Sequence, residues 1–168
     1  MITQFKLFED KRHLKKVNFE WINPTGEVFK FKNVSVYNDY AYVPMMGVSQ
    51  VMRQYIKQRW KVPFQISSSS FSGGDSITVY LSPLKVSENL LKEIEEELTI
   101  IFSAGSFDGR DDSYNYKPSN FKISIDDEKY RFNTKYLNVN YEPKYGSKDW
   151  DEYHKWKKMN HEAEKYNL

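Results

Sequence analysis

Apolar and polar positions alternate first at Val17, Phe19 and Trp21, separated by Asn18 and Glu20, the period of a half-buried strand. Asn23-Pro24-Thr25-Gly26 supplies turn chemistry, and Glu27–Val36 returns as a second strand with Phe29 and Phe31 inward. Tyr40–Val43 reads as a further strand of this N-terminal antiparallel meander. Past Pro44–Gly47 the period changes. Ser49 is placed as an N-cap, and Val51, Met52, Tyr55, Ile56 and Trp60 share one helical face. Phe64 and Ile66 open a strand, and Ile77, Val79 and Leu81 continue it after the turn Ser67–Asp75, with Pro83 as its end. Ser87 caps a second helix whose buried stripe is Leu90, Leu91, Ile94, Leu98 and Ile101.

Beyond Gly105 the pattern is irregular through Phe107-Asp108-Gly109 and Asp111-Asp112. Phe121–Ile125 and Lys129–Phe132 form a hairpin over Asp126-Asp127, Tyr136–Tyr141 a strand, Pro143–Ser147 a linker, and Asp149–Tyr166 a last helix. In that helix Trp150, Tyr153, Trp156 and Ala163 lie near one side. The expected class is α+β: antiparallel sheet, two central packed helices and a C-terminal helix. Residues 1–145 form the domain and residues 146–168 the appended helix.

A chain of 168 residues buries a real core without staples, and the absence of cysteine removes disulfides and thiolate metal sites. Met1–Asp10 has neither a long apolar run nor a cleavage-like site, and no stretch approaches a membrane span, so a cytoplasmic protein without membrane contact is expected.

Charge is uneven. Residues 1–61 carry 11 Lys/Arg against 5 Asp/Glu, residues 62–128 carry 5 against 12, and residues 129–168 carry 9 against 6. A net +2 speaks against whole-chain DNA mimicry and against a DNA-coating protein alike. The first helix keeps Arg53, Lys57, Arg59 and Lys61 mainly off its apolar stripe, near Lys11, Arg12, Lys15 and Lys16 in sequence. This basic face is a candidate contact for a partner or for nucleic acid. On the second helix Glu93, Glu95, Glu96 and Glu97 make an acidic face. The 13 Tyr, 11 Phe and 4 Trp serve strands and core first, and recognition surfaces second.

Three motifs invite chemistry. In the serine-rich turn, Ser70, Ser72, Gly73 and Gly74 could cradle a polar ligand on backbone N–H groups. A phosphate loop would open onto a helix with a Lys at its end, whereas here strands flank the turn and Asp75 repels anions. A hairpin whose glycines supply positive φ is the plainer reading. A serine nucleophile needs a base, and His13, His154 and His161 are all remote in sequence. Asp108, Asp111 and Asp112 match no calcium loop, and turn-capping is their commoner use. No catalytic residue, metal or cofactor is assigned.

The central segment is similar to a known family. Val51-Met52-Arg53-Gln54-Tyr55-Ile56-Lys57, Phe64-Gln65-Ile66-Ser67 and Phe71-Ser72-Gly73-Gly74-Asp75-Ser76-Ile77-Thr78-Val79 resemble the large polyvalent protein-associated domain 29 family. Phe107-Asp108-Gly109 with Asp112 and Tyr114 resembles its second block, so the likeness covers residues 48–117. Trp60-Lys61 and Pro63-Phe64 stand where that family often carries Phe-Pro and a Lys before the strand Phe. The resemblance implies a bacteriophage or mobile-element protein that accompanies incoming DNA and blunts host defences. It implies no catalytic residues. The expectation is therefore a non-enzymatic inhibitor that binds a host defence protein, of anti-restriction or anti-CRISPR type. Nucleic-acid binding through the first helix, and a phosphate- or nucleotide-processing enzyme using the Ser/Gly turn, are the alternatives.

Overall fold

A computed structural model of the chain describes residues 14–38, 43–117 and 121–166. Strands β1 (Leu14–Ile22) and β2 (Val28–Tyr37) pair antiparallel, with Phe19 opposite Phe31 and Trp21 opposite Phe29. Their turn is knotted by one side chain. Asn23 Oδ1 accepts from the Thr25 and Glu27 backbone N–H groups at 3.1 and 2.9 Å and from Thr25 Oγ1 at 2.8 Å. A bulge after Val17 lets Asn33 adopt a φ of 55°, and Asn18 Oδ1 takes its N–H at 2.8 Å. Of the expected strand Tyr40–Val43, residues 40–42 lie outside the described residues, and Val43 is buried in coil.

Helix α1 (Met45–Arg59) begins four residues before the expected Ser49 cap. The Pro44 carbonyl takes the Gly47 and Val48 N–H groups at 2.8 and 3.2 Å. Ser49 is instead buried inside the helix, its Oγ donating to the Met46 carbonyl at 3.0 Å. Gly47 is no helix breaker: a Cβ there would lie 2.1 Å from the Ser35 carbonyl oxygen, so its bare backbone lets the helix settle on β2. Three glutamines one turn apart then hydrogen-bond the strand. Gln50 accepts from the Ser35 N–H, while Gln54 and Gln58 each accept the N–H and donate to the carbonyl of Lys32 and Lys30 respectively, all at 2.8–3.1 Å. The edge of β2 is satisfied by amides rather than by another strand.

Strands β3 (Gln65–Phe71) and β4 (Gly74–Tyr80) form the expected hairpin. Helix α2 (Glu88–Phe102) carries Ser87 as its cap, with Oγ accepting from the Leu90 N–H at 3.4 Å, and it buries Leu91, Ile94, Leu98, Ile101 and Phe102. The segment read as irregular is a third hairpin, β5 (Gly105–Asp108) and β6 (Ser113–Tyr116). Strands β7 (Lys122–Ile125) and β8 (Glu128–Arg131) follow, turning through Asp126 and Asp127, whose φ angles are 51° and 64°. Strand β9 (Tyr136–Asn140) returns parallel to β4, so the central sheet β3-β4-β9 is mixed. Helix α3 (Lys148–Lys165) ends the described chain.

The architecture is α+β, with small sheets and two central helices whose side chains meet. Phe121 centres the core: its ring stacks on Trp21 at 4.1 Å and on Phe102 at 5.5 Å, with Phe31 and Phe132 edge-on at 5.6 and 5.4 Å. Among the described residues no helix is long and apolar enough to cross a membrane.

Candidate functional site

The basic face of α1 is less free than its sequence implies. Arg53 Nη2 donates to the Ile66 carbonyl at 2.9 Å, tying the helix to β3. Arg59 turns to carboxylates: its Nε lies 3.1 Å from Glu97 Oε1, and its Nη atoms lie 3.5 Å from Glu27 and 3.9 Å from Glu93. Lys57 and Lys61 remain exposed. Lys11 and Arg12 lie outside the described residues, and Lys16 Nζ donates to Ser35 Oγ at 2.6 Å. The acidic face of α2 is correspondingly reduced, because Glu97 points towards α1 and Glu93 takes the Trp60 indole N–H at 2.9 Å.

Arg59, Glu97 and the hydroxyl of the fully buried Tyr55 form one network at the junction of the two helices. The hydrogen bond to Glu97 holds the Arg59 guanidinium above its ordinary pKa. Burial pushes the Tyr55 phenol well up, and the Glu97 carboxylate adds to that. Burial and a hydrogen bond to Glu95 likewise push Tyr141 up to about 12. Both tyrosines hold their protons more tightly in the folded chain than in the unfolded one, where a phenol titrates near about 10. Their contribution is therefore complete below about pH 10 and declines as pH rises through the folded values. Urea midpoints are expected to fall between about pH 9.5 and about pH 11.5, and to fall less in the Tyr55→Phe/Tyr141→Phe double variant. Equal falls in both proteins would contradict this assignment.

At the serine-rich turn, Ser70, Ser72 and Gly73 are exposed, while Gly74 is half-buried against the Lys135 side chain. Lys135 Nζ donates to the Gly73 carbonyl at 2.7 Å, and Gly74, at φ +143°, leaves room for the lysine stem. Asp75 points to the chain rather than to a ligand. Its Oδ1 accepts from Thr134 Oγ1 at 2.8 Å and from the Lys135 N–H at 2.7 Å, fastening the hairpin to the start of β9. Of the histidines, His13 lies outside the described residues; His154 packs on Trp150 at 4.0 Å, and His161 is exposed. Asp108 and Asp111 accept backbone N–H groups two residues ahead, capping the β5–β6 turn. Among the described residues no three His, Cys, Asp or Glu side chains are grouped to hold a metal ion.

The docked turn belongs to an arrangement that sequence reasoning did not assemble. Phe71 at its rim stacks on Tyr136 of β9 at 5.9 Å. Tyr136 meets Tyr114 of β6 edge-on at 5.6 Å, and Tyr114 meets Tyr116 at 4.6 Å. Lys135 Nζ lies 5.1 and 5.4 Å from the Tyr114 and Tyr136 ring centroids. The Tyr114 hydroxyl donates to the Lys135 carbonyl, and burial, followed by the neighbouring tyrosines and Asp75, raises its pKa. The row is fixed at its centre and open at its ends, where Phe71 is 49% and Tyr116 71% exposed. The Tyr114/Tyr116 spacing was a visible strand signal, but three separate segments supply the rings.

No protein-family model matches the chain, and no curated protein or solved structure shows significant similarity to it.

Proposed function

We propose that this is a non-enzymatic binding protein that docks on another protein through the row Phe71–Tyr136–Tyr114–Tyr116. The carrying observation is that row: aromatic rings from three segments, held in place by Lys135 and Asp75, with exposed ends. Rigid aromatic side chains give large contact area at little entropic cost, and such residues dominate binding energy at interfaces. Lys135, the cation within the row, is turned onto the Gly73 carbonyl, and the carboxylates at the end of β5 favour a protein over nucleic acid. Asp108, Asp111 and Asp112 cluster at the β5–β6 turn with Arg110 as the one cation of that turn, which repels phosphates and suits a basic partner surface. The likeness of residues 48–117 to phage and mobile-element domains supports a component of bacterial host defence as the partner class.

The test is affinity capture from a bacterial host extract, with the Phe71→Ala/Tyr116→Ala variant in parallel. Capture of one stoichiometric protein, weakened by roughly tenfold or more in the variant at unchanged circular dichroism, is expected. A partner retained equally by the variant, or capture of nucleic acid alone, would refute the assignment.

A further inference from the structure

The anchoring of α3 is confined to its first turns. Asp149 pairs with Lys85 at 2.7 Å, Trp150 meets Tyr145 edge-on at 5.2 Å, and Tyr153 is buried. Beyond Tyr153 every described residue of the helix except the half-buried Ala163 is exposed. Yet this length is not uniformly polar. Trp156, Met159, Ala163 and the C-cap residue Tyr166 recur at i, i+3, i+7 and i+10, the alternating three-and-four spacing of a helical seam. Trp156, Met159 and Tyr166 are 43%, 62% and 66% exposed, an apolar stripe with no cover from the described body.

We propose that this seam pairs with the same seam of a second copy of the chain, antiparallel about a two-fold axis. The sequence of the stripe is self-complementary in that direction. Trp156 of one copy faces Tyr166 of the other, Met159 faces Ala163, and the two-fold axis repeats both pairs, giving four apolar layers, two of paired aromatics at the ends and two of a large against a small side chain at the centre.

The flanking charges select the same orientation. Lys155 and Glu162 each stand one residue before a seam position, on the same side of the stripe. In the antiparallel arrangement Lys155 of one copy reaches Glu162 of the other, and symmetry makes the pair twice. In a parallel arrangement Lys155 faces Asn160 and neither charge is answered. Antiparallel helices also set the macrodipoles head to tail. Because each helix is anchored at its N-terminal end, the two bodies sit at opposite ends of the pair and stay clear of each other. The seam is short, so the dimer is weak and concentration-dependent.

Sedimentation equilibrium of the full chain tests this. A reversible monomer–dimer equilibrium is expected, with Met159→Glu and Trp156→Glu each lowering the association constant by roughly tenfold or more. Both positions are exposed, so the circular dichroism of the variants is expected to stay unchanged. Lys155→Glu alone and Glu162→Lys alone are each expected to weaken the dimer, and the double exchange to restore it. A chain that stays monomeric at the highest concentration reached, or a dimer indifferent to Met159→Glu, overturns the proposal. A double exchange that fails to restore association overturns the antiparallel pairing. The aromatic row contributes no residue to this surface, so the two assignments fail independently.

Discussion

Phe121→Ala is expected to lower the unfolding free energy by about 3–5 kcal/mol, as for other large aromatic truncations in a packed core. The site leaves little room for compensation. Phe121 is fully buried and its ring touches Trp21, Phe31, Phe102 and Phe132, which come from β1, β2, the end of α2 and the segment after β8. Those neighbours are fixed by separate elements, so collapse into the vacated space requires several to move at once. A domain of this size has a total stability of about 5–15 kcal/mol, and the variant is expected to unfold at a much lower urea midpoint. Phe71→Ala is the control. Phe71 is half exposed at a hairpin rim, and its loss is expected to cost under about 1 kcal/mol. Equal effects at the two positions would show that the core is not centred on Phe121.

Gly47→Ala gives a result opposite in sign to ordinary helix propensity. In an exposed helix interior that change is favourable by about 1 kcal/mol. At Gly47 the new methyl meets the Ser35 carbonyl oxygen at 2.1 Å and Val43 Cγ1 at 2.9 Å. A strand carbonyl is not a flexible side-chain end, so the helix must lift from β2. Lifting strains the hydrogen bond from the Ser35 N–H to Gln50, and overpacking of this kind costs about 1–3 kcal/mol. Thermal unfolding settles the sign: a lower Tm is expected, and a raised Tm would mean that the close approach is absent.

Much of the fold was legible because its signals are local. The Val17–Phe19–Trp21 alternation, the Val51–Trp60 stripe, the Ser87 cap and the Asp126-Asp127 turn each sit within a dozen residues, and each appears as read. What was misread depended on a distant neighbour. Ser49 looks like a cap until Pro44 and the backbone of Ser35 are seen to set the start of the helix. Arg59 and Glu97 look like two solvated charges of opposite faces, yet each is the other's partner across α1 and α2. The direction of β9 is likewise invisible to periodicity, because parallel and antiparallel strands alternate alike. The candidate site suffered most: Phe71, Tyr114 and Tyr136 gather only when Asp75 has joined two segments 60 residues apart.

That long-range junction sets a timetable for making the protein. β4 can pair with β3 as soon as both leave the ribosome, since a short turn joins them. Its other edge must wait for β9, and all of α2 and two hairpins are synthesised in between. During that interval Ile77 and Val79 belong to a strand with one edge unpaired, the state in which nascent sheets are most prone to wrong partners. Closure therefore comes late, and the aromatic row comes into being only with it.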